Sequence, residues 1–370
     1  MDNLMEFRVA EYDEVAESFR KMEPMVVSLL EKKLKEAGIR PMQIQHRIKT
    51  RDSVSGKLER KPDKYTSVRS MTDILGLRII CYFSNQVDQI ADLIRDCLVV
   101  DTKKSVDKRK LLDPTSFGYL SLHFICSLPE DAGYPEELYG LKFEIQIRTV
   151  LQHTWAEIEH DLGYKSEFGI PRELRRKFSR VAGLLEIADD AFIQIRKSVT
   201  EYEEDVRNRI ANDAADDMHM DLVTLRAFLE LSRTMQNLNR DIAAIAGASI
   251  IETSPETYIR YLEFFNVRTL GDLREFVQQG YDDAMEFARR ALGNMQLDEV
   301  SSIIGLYYLC RARLVRGDYN ERQLMVYFML GEATENKARI QTRQVLRLRE
   351  KYREAMEEPG RGGMDGEEKR

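Results

Sequence analysis

The chain has 370 residues, 43% of them hydrophobic, with a formal net charge of −7. Its length exceeds one ordinary domain and suits two with sizeable cores, which excludes a wholly disordered protein. The acidic balance excludes a general nucleic-acid coat, so any anion site must come from local basic clusters.

Residues 1–39 read as helix: Val15, Phe19, Met22, Val26, Leu29, Leu30 and Leu34 keep a helical stripe, and Gly38 supplies a stop. Pro24 predicts a kink or a fresh helix start. Between Arg40 and Arg69 nine basic residues stand against three acidic ones, an excess that suits either a polyphosphate or a solvated basic helix. In TDILGLRIICYF, Thr72 to Phe83, the run from Leu77 reads as a short buried strand. Asp73 and Arg78 stand at its entrance, and Gly76 is expected to let the backbone turn tightly. An Asp at such a mouth is either a turn-former or a metal ligand. Gln86–Val99 is expected to form a helix crossing back over the sheet, and Lys103, Lys104, Lys108, Arg109 and Lys110 make a second basic loop. FGYLSLHFICSL, Phe117 to Leu128, is a further strand with Tyr119, Ser121 and His123 on one face, followed by a hairpin-like connection to Gly140.

The stretch Leu141 to Lys165, LKFEIQIRTVLQHTWAEIEHDLGYK, organises this half of the chain. Leu141, Phe143, Ile145 and Ile147 alternate with Lys142, Glu144, Gln146 and Arg148, so one strand face is apolar and the other carries chemistry. Thr149 and Gln152 form a T-x-x-Q capping box that starts a helix, on which His153, Glu157 and His160 recur at helical spacing. Two acidic groups on neighbouring strands can hold Mg²⁺, the basic clusters can take phosphates, and a tyrosine ring can stack a base, a set that describes nucleotidyl or pyrophosphoryl transfer. After Pro171 the sequence reads as wholly helical. The expected segments begin at Leu222 and at Ser254-Pro255, then run Thr269–Val277, Tyr281–Leu292, Leu297–Val315 and Asn320 to about Glu357. ANDAADD, 211–217, reads as a linker, and this half shows neither a repeat nor a catalytic constellation. The cysteines Cys81, Cys97, Cys126 and Cys310 lack a C-x-x-C spacing, which predicts reduced buried thiols. There is no signal peptide and no apolar run of the ~18 residues needed to span a bilayer, so a cytoplasmic protein is expected.

RIKTRDSVSGK (47–57), DILGLR (73–78), GYLSLH (118–123) and EIQIRTVLQHTWAEIEHDLGYK (144–165), in that order and spacing, closely resemble the synthetase domain of the RelA/SpoT family. The resemblance covers about residues 40–170 and does not extend to the family's hydrolase domain, whose metal-binding histidines are absent. It implies an α+β fold, a mixed sheet flanked by helices in the manner of nucleotidyltransferases, followed by an all-α C-terminal region. The expected organisation is an N-terminal helical segment (1–39), the synthetase domain with flanking helices (40–210), a helical regulatory or oligomerisation region (218–357) and a disordered tail (358–370).

The resemblance also implies transfer of pyrophosphate from ATP to a ribose 3′-hydroxyl of a guanosine nucleotide, with Mg²⁺ and release of AMP. By motif, Asp73 is the principal metal ligand. Glu144 is a second ligand or the group that orients and deprotonates the hydroxyl. Arg47 and Arg78 would sandwich adenine, with Lys49, Ser53 and Lys57 around the ATP phosphates. Tyr119 would stack the acceptor base, and His123, Gln146 and Arg148 would line the acceptor side; Trp155, His160 and Tyr164 read as structural supports. The run DPTSFGYLSLH departs from the pattern: Thr115, Ser116 and Phe117 precede the Gly-Tyr pair, and Leu120 follows, where alarmone synthetases usually carry residues that help hold acceptor phosphates. Three readings therefore stand: an alarmone synthetase acting on GTP or GDP, a toxic synthetase that pyrophosphorylates the 3′ end of tRNA under restraint by its C-terminal region, and a non-catalytic nucleotide sensor. A homo-oligomer or a protein partner through the C-terminal helices is also expected, and no membrane.

Overall fold

The computed structural model describes residues 2–60, 65, 67–110, 121–130, 132–162, 171–331 and 333–357, and the chain divides into two compact units, residues 1–198 and 199–370. In the first unit the order is α1 (Asp2–Glu36), β1 (Gln43–Ile48), α2 (Arg51–Arg60), β2 (Leu75–Cys81), α3 (Ser84–Cys97), β3 (Val99–Val100), β4 (Val106–Asp107), β5 (Leu122–Ser127), β6 (Phe143–Thr149) and α4 (Val150–Asp161). The helix α5 (Arg172–Ala211) follows. The strands form one mixed sheet in the order β1-β2-β6-β5-β3, with β4 also on β5; β2 and β6 are parallel, while β1 on β2 and β5 on β6 are antiparallel.

Alternation sorts the two sheet faces. Leu77 and Ile79 of β2 stand beside Ile145 and Ile147 of β6, which stand beside Phe124 and Leu122 of β5. This face is roofed by the buried stripes of α1 and α3, Phe19, Met22, Val26, Val87, Ile90 and Ile94 among them. Burying one face leaves Arg78, Glu144, Gln146, Arg148 and His123 together on the other. Pro24 lies inside α1 without ending it. Met22 and Val26 on either side are fully buried, so stripe packing outweighs the lost hydrogen bond.

The second unit is helical apart from one short ribbon: α6 (Leu222–Leu231), α7 (Arg233–Ala246), β7 (Ser249–Ile251), α8 (Glu256–Phe264), α9 (Leu270–Leu292), β8 (Glu299–Ser301), α10 (Ile304–Arg316), α11 (Glu321–Leu330) and α12 (Glu335–Glu357). The strands β7 and β8 pair in parallel, and at three residues each they carry no readable periodicity. The single helix α9 replaces the two expected around Gly280. A Cβ on Gly280 would come within 2.8 Å of Leu309 of α10, so this glycine admits a neighbouring helix rather than breaking its own. The segments expected as single helices over Leu297–Val315 and from Asn320 instead divide into β8 and α10, and into α11 and α12. Among the described residues no helix is long and apolar enough to cross a membrane.

Candidate active site

The site is built on the polar sheet face. Register sets Gln45, Arg78, Gln146 and His123 in one row across β1, β2, β6 and β5, and Arg47, Gly76 and Glu144 in the next. A side chain at Gly76 would meet nothing within 4 Å, so the floor between Arg47 and Glu144 is open. Gly76 thus does not serve the tight turn expected of it. It lies within β2 and clears space there.

Asp73, two residues before β2, closes one end of this floor. Its Oδ2 accepts from Lys49 Nζ at 2.5 Å and from Lys57 Nζ at 2.6 Å, while its Oδ1 is buried with no hydrogen-bond partner. Burial pushes the carboxyl up, but the two ammonium groups outweigh it and hold Asp73 below the usual carboxylate range. Lys49 follows β1 and Lys57 comes from α2, so three separate segments meet at this oxygen. Ser53, one turn before Lys57, is exposed, with its hydroxyl 2.9 Å from that of Thr50, and does not join the cluster. The structure therefore brings Lys49 and Lys57 together and leaves Ser53 at the mouth.

From Glu144 a hydrogen-bonded chain runs both ways. Its Oε1 lies 2.8 Å from His123 Nδ1, and His123 Nε2 lies 2.5 Å from Ser121 Oγ. With the proton on Nδ1 facing the carboxylate, Nε2 accepts from the serine. On the other side Gln146 Nε2 donates to Glu144 Oε2 at 3.0 Å, and Arg148 Nη2 donates to Gln146 Oε1 at 2.8 Å. Burial pushes the Glu144 carboxyl up, but the bonds from His123 and Gln146 outweigh burial and the nearby Asp73 charge, and hold it below its ordinary value. A carboxylate so held is a weak base, better at accepting a hydroxyl proton in a hydrogen bond or binding a cation than at removing the proton outright.

The guanidiniums differ. Arg47 is exposed on β1 and makes no hydrogen bond or ion pair among the described residues. Arg78 donates to Gln45 at 3.2 Å and to Glu157 of α4 at 2.7 Å. Arg148 meets no carboxylate at ion-pair distance among the described residues, and its Nε is buried without a partner. Burial, aided by the Arg78 charge, lowers it to about 10 against the pull of Glu157, Glu144 and Glu159, so it stays a cation at neutral pH. Such a cation invites an anionic ligand.

Tyr119 and Tyr164 lie outside the described residues. Trp155 is buried edge-on against Phe178 of α5, whereas His160 is exposed. Sequence reasoning missed Gln45 and the role of Glu157, which together aim Arg78, and Asp189, a buried α5 carboxylate that accepts from the Thr149 hydroxyl at 2.8 Å. Their only sequence signal was residue type, because each partner is distant in the chain.

No group of three or more His, Cys, Asp or Glu among the described residues is placed to hold a metal ion. Asp73 Oδ1 and the neighbouring Glu144 offer two carboxylates. That donor set fits Mg²⁺, which is typically held by one or two carboxylates with substrate phosphates and water completing its shell.

Carboxylates, a lysine pair and a partly buried arginine on one face of a mixed sheet are the groups a transferase for phosphorylated substrates would need. The family model for the region found in RelA / SpoT proteins matches residues 46–168. Two GTP pyrophosphokinases of Bacillus subtilis (strain 168), YwaC and YjbM, are each 30% identical to the chain over 159 and 158 residues, covering 41% and 42% of it and 72% of each relative. Among solved structures, small alarmone synthetase 2 from Bacillus subtilis is 26% identical, with 50% of this chain and 97% of that one covered and a TM-score of 0.42. The chain belongs to the RelA/SpoT family and is a pyrophosphotransferase.

Proposed function

We propose that the enzyme transfers the β,γ-pyrophosphate of ATP to the ribose 3′-hydroxyl of GTP or GDP, making (p)ppGpp and releasing AMP. The observation that carries this reading is the Asp73–Glu144 pair bordering the open floor at Gly76, with Lys49 and Lys57 on one side and Arg148 on the other. Lys49 and Lys57 would turn from Asp73 to the ATP phosphates, with Ser53 at their edge. Arg47 and Arg78 are diagonal neighbours across β1 and β2, about 7–8 Å apart, which leaves room for one adenine ring between their planes. Arg148, aimed by Gln146, would take acceptor phosphate, and Tyr119 would stack the guanine. Glu144, held by His123 and Gln146, orients the 3′-hydroxyl. The 3′ oxygen attacks the β-phosphorus as its proton passes along the hydrogen bond to Glu144, the bond from the β-phosphorus to the α–β bridging oxygen breaks, and AMP departs with the bridging oxygen. Asp73 and Glu144 would hold Mg²⁺, which supplies charge neutralisation at the reacting phosphates. Positioning two anions side by side supplies the rest.

A tRNA 3′ end is the second reading, favoured by the cation-poor run at Thr115–Leu120. It needs free positive charge along a strand's backbone. The basic segments offer it only in part: Arg51 lies by Asp13, Arg69 pairs with Glu11 and Glu14, and Arg109 binds Asp88 and Asp107, whereas Arg40, Arg47, Lys103 and Lys104 are exposed with no ion pair among the described residues. The relatives named GTP pyrophosphokinases favour a free guanosine nucleotide. The sensor reading has no use for two intact carboxylates. Incubation with γ-labelled ATP and, separately, GDP, GTP and bulk tRNA decides. Label on GDP or GTP is expected. Label on tRNA alone overturns the acceptor, and no transfer to any of them overturns the enzyme reading.

A further inference from the structure

The helical unit carries a cavity of about 360 Å³, within the range of small-ligand sites. One wall is aromatic. Tyr261 of α8 and Tyr327 of α11 stack with centroids 4.5 Å apart and 23° between planes, and Tyr258 meets Tyr261 edge-on at 5.4 Å. Gly331, just after α11, is what lets the chain run beside this wall, since a Cβ there would fall 1.8 Å from the Tyr261 hydroxyl. Arg311 of α10 and Lys337 of α12 also line the cavity, and among the described residues no carboxylate does. Neither cation makes an ion pair among the described residues, and Arg311 is half-buried, so the cavity presents two positive side chains to a ligand. Burial pushes the Tyr258 hydroxyl well up from its ordinary value, so it stays a proton donor.

We propose that this cavity is a second nucleotide site, binding a nucleoside phosphate with its base against the Tyr258–Tyr261–Tyr327 wall and its phosphates on Arg311 and Lys337. Aromatic faces hold a planar base whatever its identity, and two cations favour a phosphorylated ligand over a bare nucleoside. A quaternary ammonium, the other usual guest of a tyrosine cage, is repelled by the same two cations. The site lies wholly in residues 258–341, apart in sequence from the catalytic motifs, and stands whether or not the acceptor assigned above is correct.

The test uses the full chain and reads binding locally, so that the catalytic site does not confuse it. Hydrogen–deuterium exchange is followed in peptides from α8, α10, α11 and α12 on adding GMP, GDP or ATP, with guanosine and inorganic pyrophosphate as separate controls. Saturable protection of these peptides by at least one nucleotide is expected, at least about tenfold weaker for guanosine and for pyrophosphate, because each lacks one half of the site. The pair of substitutions Arg311→Glu and Lys337→Glu should remove the protection while leaving the melting temperature and the protection around Asp73 and Glu144 intact. Gly331→Ala, which forces the Tyr261 ring aside, should weaken it independently. The proposal is overturned if no nucleotide protects these helices at millimolar concentration, if guanosine or pyrophosphate protects as well as the nucleotides, or if the charge-reversed protein binds unchanged.

Discussion

At Asp73 a single carboxylate gathers Lys49 and Lys57 on one oxygen, and in the proposed reaction its other oxygen would take a cation. Asp73→Asn should therefore damage both stability and turnover. Losing charge-assisted bonds to two partly buried ammonium groups should cost about 1–3 kcal/mol of stability, read as a lower urea midpoint. AMP release at saturating Mg²⁺ should fall by about a hundredfold or more, because a metal-linked barrier is worth several kcal/mol. A folded variant within about tenfold of the parent rate would remove Asp73 from the site. His153 makes a prediction of its own. Burial first, then the charges of Arg78 and Arg148, hold its imidazole below the ordinary value against the pull of Glu157. The unfolded chain thus takes up a proton at higher pH than the folded one. Stability is full above the ordinary imidazole value of about 6.5 and falls as pH drops through it towards the folded value. Urea midpoints should decline over that window more steeply in the parent than in His153→Gln, and equal slopes would contradict the assignment.

At the scale of elements, the junction of β6 and α4 holds the site in shape. The Thr149 hydroxyl accepts from the Gln152 amide and donates to Asp189, so one residue caps α4, pins α5 and fixes the strand end that carries Arg148. Thr149→Val keeps the shape and loses both bonds. About 2–3 kcal/mol of stability should go, from a lost cap and a buried carboxylate left short of a donor, with Thr149→Ser close to the parent. A loss under about 0.5 kcal/mol would show the cap to be incidental. This junction also marks how far the sequence could be read. The alternation of β6 and the Thr149–Gln152 box are local patterns of period two and of three-residue spacing, and both stand in the structure as read. Asp189 lies forty residues from its partner and Glu157 seventy-nine from Arg78, and such pairings leave no local trace. Gly76 and Gly280 were legible as glycines but not as to purpose: Gly76 lies in open floor within β2, whereas Gly280 admits a helix because of Leu309 across from it.

For the whole molecule, the sequence counts cations without their partners: Arg69 and Arg109 are spent on neighbouring acids, whereas Arg40, Lys103 and Lys104 are exposed with no ion pair among the described residues. The helical half yielded no chemistry to sequence reading for a related reason. Helical stripes report which residues are buried, as they did for Tyr258 and Tyr261, whereas the tyrosine-walled cavity joins these to Arg311, Tyr327 and Lys337 from three other helices.

The central claim is that the Asp73–Glu144 face moves pyrophosphate from ATP to a guanosine nucleotide. It is tested most directly by following AMP release and γ-label arrival on GDP or GTP together, in the parent and in Glu144→Gln. The account predicts one AMP for each pyrophosphate transferred, and a loss of both in step in Glu144→Gln with its melting temperature little changed. AMP formed without label on the acceptor, or Glu144→Gln retaining more than about a tenth of the parent rate, would contradict it.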